Sequence, residues 1–320
     1  NVRYVLGVAY YQLGTFGKAI AQCEFILKNS PNDTDALLLK GKAYLEDGTA
    51  SKAVSSFEQL AKLHPDDGAL LTTLGNLYYT THQFDKAEEI LRVAVTKGGG
   101  TDVSNLLGNV YIQLNRFQEA RNQFETVIAK EPESSSGYTG MGKVYYRQLI
   151  FESAEAQLDR ALEINPNDIE ALLTLANLKI DLKRWPEAQE SAESILRIDP
   201  DNGLAHLALG RVYMALNAMK QAEHHILLSL DILPEHAEAY YYLGLIYEKG
   251  RDYEGAYSAY VTARGYLGKH NPDLLKDLNR RIETIEKKLE AQSPRKPRRP
   301  RNKRPDGKTG RPNQEIKRPR

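Results

Sequence analysis

Seven histidines, one cysteine and 42 carboxylates are the groups in this 320-residue sequence that could bind a metal or move a proton. The histidines are His64, His82, His206, His224, His225, His236 and His270, and none stands in a His-Glu-x-x-His spacing. His224 and His225 are adjacent, which turns their side chains about 100° apart on a helix and makes a poor metal pair. Helix surface or a satisfied core site is the expectation for them. Cys23 is the only cysteine, so neither an intrachain disulfide nor a cysteine-based zinc site can form. Gly307-Lys308-Thr309 has the ending of a phosphate-binding loop, but Asn302 stands where the earlier glycine belongs. Gly98-Gly99-Gly100 lacks the strand that such a loop follows. No carboxylate pair can be singled out as an acid/base couple, and Asn32-Asp33-Thr34 is a lone glycosylation sequon of the kind chance supplies. The expectation is a non-enzyme, with no catalytic residue, no metal site and no cofactor.

Charge is distributed unevenly. Lys plus Arg is 43 against 42 for Asp plus Glu, a net of +1. Residues 293–320 carry 12 basic and two acidic residues, a net of +10, and the remaining 292 carry −9. Six of the 14 prolines fall in the same tail, where Ile316 is the only large apolar side chain. Such a segment cannot bury a core and is expected to be extended when alone. With 41% apolar and 27% charged residues, the rest reads as globular. No run of 18 apolar residues exists to span a membrane as a helix.

The elements that would position any site come from a repeat. Glycine recurs at Gly7, Gly41, Gly75, Gly108, Gly142, Gly210 and Gly244, with Ala176 in the one gap. The spacing is 34 residues, except 33 between Gly75 and Gly108. Three residues on stand Tyr10, Tyr44, Tyr78, Tyr111, Tyr145, Lys179, Tyr213 and Tyr247. Alanine follows at Ala19, Ala53, Ala87, Ala120, Ala154, Ala188, Ala222 and Ala256. A bulky residue precedes it in most units, as Phe16, Phe84, Phe117, Phe151, Trp185, Met219 and Tyr253. Proline closes units at Pro31, Pro65, Pro132, Pro166, Pro200 and Pro234, with Gly99 and Gly268 standing in elsewhere. Apolar residues within a unit fall at helical spacing in two stretches, so each unit predicts two short helices. A glycine on the first and an alanine on the second let the backbones approach. Pro166-Asn167-Asp168 and Pro200-Asp201-Asn202 end one helix and cap the next. One pair cannot bury its apolar face alone, so neighbours must stack.

These columns resemble the tetratricopeptide repeat family over eight consecutive units, to about Leu267. The resemblance implies an all-α, right-handed superhelical solenoid of antiparallel helix pairs, with a concave groove lined by the first helix of each pair. The sixth unit departs, with Ala176, Lys179 and Ala192 where Gly, Tyr and Phe are usual, and looser packing is expected there. The glycine triplet at the end of the third unit reads as a turn, with a hinge as the alternative. The solenoid is expected over 1–270, a capping helix over 271–292 and the basic tail over 293–320. Leu274, Leu275, Leu278, Ile282, Ile285 and Leu289 form the apolar stripe of that cap, and Asn271-Pro272-Asp273 starts it. A coiled coil with another chain is the alternative for this helix. Asn1 begins inside a first helix without an initiator Met, so further repeats are expected upstream and the lack of a signal peptide carries no information.

The residue after each glycine or alanine reads Val8, Lys42, Asn76, Asn109, Lys143, Asn177, Arg211 and Leu245. Equal spacing puts these in one row, and the resemblance implies that the row faces the groove. Asn can donate to and accept from a peptide backbone, and Lys and Arg can hold carboxylates. The next column, expected to be exposed, adds Tyr11, Tyr79, Ile112, Tyr146, Ile180 and Met214. Lys42, Asn76, Asn109, Lys143, Asn177, Arg211, Tyr79 and Tyr146 are the expected groove residues for an extended, acidic segment of a protein partner; the competing reading is a solvated helix face. Leu38 stands where the dicarboxylate clamp of chaperone-binding relatives would need a second lysine, so chaperone-tail binding is not expected.

In the tail, Arg295, Lys296, Arg298, Arg299, Arg301, Lys303 and Arg304 alternate with proline. They would attract an acidic protein, nucleic acid or another anionic surface. No aromatic residue interleaves, which argues against base stacking. The leading expectation is a protein–protein interaction scaffold whose arm docks onto an acidic partner. One alternative is a scaffold whose tail binds RNA, DNA or a ribonucleoprotein; the other is the regulatory arm of a larger enzyme. Partner, compartment and oligomeric state stay open, an intracellular location being favoured.

Overall fold

The computed structural model describes residues 2–267 and 271–292; the tail, with Arg295 to Arg304, and Gly268 and His270 lie outside the described residues. Those described form 17 α-helices and no strand. The first helices of the pairs are α1 (Val2–Gln12), α3 (Thr34–Glu46), α5 (Gly68–Thr80), α7 (Thr101–Gln113), α9 (Ser135–Arg147), α11 (Ile169–Asp181), α13 (Gly203–Ala215) and α15 (Ala237–Lys249). The second helices are α2 (Phe16–Asn29), α4 (Ala50–Leu63), α6 (Phe84–Thr96), α8 (Phe117–Lys130), α10 (Phe151–Ile164), α12 (Trp185–Ile198), α14 (Met219–Ile232) and α16 (Tyr253–Leu267). A last helix, α17 (Pro272–Gln292), follows them.

Each column of the repeat has a packing role. All eight alanines of the second helices are fully buried. A Cβ added at Gly108 would come within 2.6 Å of the Phe124 ring, and one at Gly244 within 2.4 Å of Tyr260. The glycine therefore makes room for a large side chain on the partner helix, and overpacking there would cost about 1–3 kcal/mol. The sixth unit solves the same problem in reverse. Ala176 fills the glycine position and the facing residue shrinks to Ala192, both completely buried. The looser packing expected there is not found: small-to-small replaces none-to-large, and Lys179 is only 4% exposed.

The pairs turn through a left-handed residue in every unit. Gly14, Gly48, His82, Asn115, Leu149, Lys183, Asn217 and Arg251 all have φ between 57° and 72°. The residue after each donates back to the tyrosine-column carbonyl, as Thr15 N to Tyr10 O at 2.9 Å and Ile150 N to Tyr145 O at 2.9 Å. This closes the first helix and aims the chain into the second. Between units, Asp33, Asp67, Asp168 and Asn202 cap the following helices, accepting from Ala36, Leu70, Ala171 and Ala205 N at 2.9–3.1 Å. At Gly98 (φ +85°) the chain makes a tight turn instead, and Gly99 N donates to Ala94 O at 3.0 Å.

Successive first helices pack against one another, while no two second helices do so closely. The wall whose helices touch is the shorter one, so the first helices line the inside of the curve. One junction differs: α3 and α5 do not pack closely, although every other consecutive pair of first helices does. At the far end, Leu278, Ile282 and Ile285 of α17 are buried against Ala256, Tyr260 and Ala263 of α16. Burying such side chains contributes about 1.5–3 kcal/mol each. Arg281 and Lys288 also reach α15, each donating to Glu248 at 3.0 Å.

Candidate functional site

The side-chain bonds of Asn109, Lys143, Asn177 and Arg211 stay among the first helices, on the inner wall, and Lys42 and Asn76 share their register. Lys143 Nζ donates to Asn109 Oδ1 at 2.7 Å and pairs with Glu170. One full period later, Arg211 Nη1 donates to Asn177 Oδ1 at 2.7 Å and stands 4.0 Å from Glu238. Asn177 Nδ2 in turn donates to Leu173 O at 3.1 Å. Tyr146 donates to Asp181 at 2.7 Å, and Asp181 lies 3.7 Å from the Arg211 guanidinium. That guanidinium also sits over the Tyr242 ring, 5.4 Å from its centroid. Burial first, and then the bond to Asp181, pushes the Tyr146 phenol well above its ordinary range. The inner wall of α7 to α15 is thus a linked network in which each cation has an amide on one neighbour and a carboxylate on the next.

Lys42 and Asn76 are different. Both are exposed, and neither makes a side-chain hydrogen bond or ion pair among the described residues. Next to Lys42 a cleft of about 430 Å³ opens between α3 and α5. Leu38, Leu45, Phe57, Leu60 and Leu70 give it apolar walls, and Ala69 and Thr73 line the α5 side. At its rim Thr34 Oγ1 meets His64 Nε2 at 3.2 Å.

The second column needs correction. Ile112 and Ile180 are 2% and 7% exposed, so they belong to the core and not to a contact surface. Tyr11, Tyr79 and Tyr146 are half-buried, with rings packed on Phe16, Phe84 and Phe151 at 5.7–6.3 Å. Sequence reasoning also missed Glu170, Asp181, Glu238 and Tyr242. A signal existed for the glutamates: both stand six residues before the small residue of their units, in the repeat after a cation of the row.

Elsewhere several titratable groups are engaged with one another. Lys179 pairs with Glu155 and Glu187, and Arg184 binds the same two carboxylates. Hydrogen bonds from Arg184 and Lys179 hold Glu187 down to about 2. Burial raises Glu155, yet the same two cations outweigh it and leave the group below its ordinary value. His206 and His225 face each other through their Nδ1 atoms at 3.0 Å, with His225 stacked on Tyr213. Burial first, then the neighbouring imidazoles, lowers His225 to about 4. Cys23 is buried, which pushes its thiol up to about 11 and makes it a poor nucleophile. Among the described residues there is no group of three or more His, Cys, Asp or Glu placed to hold a metal, and no helix long and apolar enough to cross a membrane.

Two family models described as tetratricopeptide repeat match the sequence, one over residues 105–169 and 224–266, the other over 44–106, 151–196 and 184–243. Among solved structures, a tetratricopeptide repeat protein from Parabacteroides merdae is similar with a TM-score of 0.58 at 19% identity, covering 79% of this chain and 98% of that one. The hetero-tetramer Cut9–Hcn1 of the APC/C is similar with a TM-score of 0.61 at 15% identity, over 85% of this chain and 54% of that one. A thermophilic repeat protein of Thermus thermophilus gives a TM-score of 0.50 at 18% identity, over 54% of this chain and 94% of that one. These likenesses are of fold. No curated protein matches the sequence significantly.

Proposed function

The chain belongs to the tetratricopeptide repeat family, and from that premise we propose that it is an interaction scaffold holding an extended segment of a partner protein along its inner wall. The observation that carries this is the wall itself. Six first helices from α3 to α13 present one row of amide and cationic side chains at a constant register, on the side away from the second helices. A row of donors at regular spacing suits a backbone running across the helices, because an extended chain offers carbonyls at regular spacing too. Lys42, Asn76, Asn109, Lys143, Asn177 and Arg211 are the proposed contacts, with Tyr79 and Tyr146 beside them. Aromatic side chains add contact area at little conformational cost.

Alanine at both Lys42 and Asn76 tests the reading without touching the packing, since both are exposed and unbonded. Partner recovery should fall while the helical circular dichroism stays unchanged; undiminished recovery would contradict it. A second reading concerns the tail, on the observation that residues 293–320 carry a net of +10 against −9 for the rest. It would dock onto an acidic protein surface through Arg295, Lys296, Arg298, Arg299, Arg301, Lys303 and Arg304. Deleting residues 293–320 should then remove a salt-sensitive part of partner binding. Binding to RNA with the same salt dependence would favour the nucleic-acid alternative instead.

A further inference from the structure

The polar network of the inner wall follows a rule, and one place breaks it. Lys143 and Arg211 each take an amide from the preceding unit, Asn109 and Asn177, and a glutamate from the following unit, Glu170 and Glu238. Lys42 occupies the same register in the second unit. Its preceding neighbour in the row is Val8, which cannot accept a hydrogen bond from it. Its following neighbour, at the register of Glu170 and Glu238, is Ala69. Both partners are missing, so the ammonium stays exposed with no counter-charge bound. The same missing bridge coincides with the one junction where consecutive first helices do not pack closely. The cleft lies between α3 and α5 at this junction, and Ala69 lines it.

We infer that this cleft is an anchor subsite for an aliphatic side chain of a partner segment, with a neighbouring carboxylate of that segment on Lys42. The proposal rests on the inner-wall reading and deepens it. The walls are supplied by Leu38, Leu45, Leu70, Phe57 and Leu60, so the body of the ligand must be apolar. About 430 Å³ is room for a large aliphatic side chain and part of its backbone. The other polar groups at the rim have partners: Asp67 caps α5 through Leu70 N at 3.0 Å, and His64 faces Thr34. Lys42 is therefore the charge left to complement, and its complement is a carboxylate. An acidic residue next to a leucine or isoleucine in the segment would supply in trans what Glu170 and Glu238 supply in cis.

The test uses the full chain and a defined probe, a fluorescein-labelled decapeptide of glycines and serines with one central leucine followed by one glutamate. Fluorescence anisotropy should show saturable binding. Replacing the probe's glutamate by glutamine, or Lys42→Gln in the protein, should each weaken it about five-fold, as loss of one partly exposed ion pair would. Ala69→Glu should weaken it at least as much, because the new carboxylate gives Lys42 an internal partner and occupies the cleft. Ala69 is exposed, so this variant should fold normally. A probe with glycine in place of leucine should not bind. The inference is overturned if no saturable binding occurs, or if binding ignores both protein variants. Its failure would be distinct from failure of the scaffold reading, which depends on partner contact anywhere along the wall.

Discussion

The inner wall has two halves that answer the same chemical problem differently. From α7 to α15 its cations are bonded to their neighbours, with Asn109–Lys143–Glu170 and Asn177–Arg211–Glu238 as two copies of one motif. At α3 and α5 the copy is incomplete, and Lys42 and Asn76 are left to solvent. A repeat protein must hold its units together and also leave groups free for a partner. The difference shows how one register can do either task, depending on whether the next unit carries Glu or Ala six residues before its small residue. Unit-to-unit bridges link one half; the other holds a cleft between α3 and α5.

The largest expected effect lies in the bonded half. Lys179→Ala would strip a buried cation from Glu155 and Glu187 and should lower the unfolding free energy by about 2–3 kcal/mol, Arg184 compensating in part. Lys179→Tyr, which restores the column residue, should stay within about 1 kcal/mol, because Tyr78 shows that a phenol can reach a glutamate from this position, at 2.6 Å from Glu58. Urea unfolding followed by circular dichroism separates the two. Equal losses would mean that the charge cluster is not what holds the sixth unit.

The seventh unit should confer a pH dependence through His225. Folding lowers the His225 pKa from 6.5 to about 4, so the unfolded chain binds more protons between these values. Stability should therefore fall as pH drops through that window, by about 1–2 kcal/mol once partial exposure is allowed for. Wild type minus His225→Gln, measured from pH 7 to pH 4, isolates the contribution. A difference independent of pH would contradict the burial argument.

Smaller effects bear on the row itself. Lys143→Met and Arg211→Met should each cost about 1 kcal/mol, whereas Lys42→Met should change stability by less than about 0.5 kcal/mol. Ala69→Glu should stabilise by about 0.5 kcal/mol, since it completes the bridge and places an acid in the first turn of α5. Thermal unfolding of the four variants under one buffer would sharpen the contrast. Similar costs at Lys42 and Lys143 would remove it.

Much of the fold was legible because a 34-residue period repeats its physics eight times. Gly108 facing Phe124 and the buried alanines follow directly from the columns. The Asp168 and Asn202 caps follow from their place after proline. The turns were less visible: Leu149 and Lys183 hold a left-handed backbone where glycine would signal it. The sixth unit misled because Ala176 and Ala192 were read as two separate departures, whereas each compensates the other and both are fully buried. Ile112 and Ile180 looked exposed because a helix wheel omits the next unit, whose packing buries them. The equal spacing of the row is legible in the sequence, but which of its cations are bridged depends on carboxylates 27 residues downstream in the neighbouring unit. That is a contact between repeats, and no single repeat reveals it.

Site-directed photo-crosslinking tests the central claim most directly. A benzoylphenylalanine placed at Asn76, on the inner wall, is compared in the full chain with one at Glu125, exposed on α8 of the outer wall. The account predicts a crosslinked partner peptide from Asn76 and none from Glu125. Crosslinking from Glu125 with none from Asn76 would contradict it.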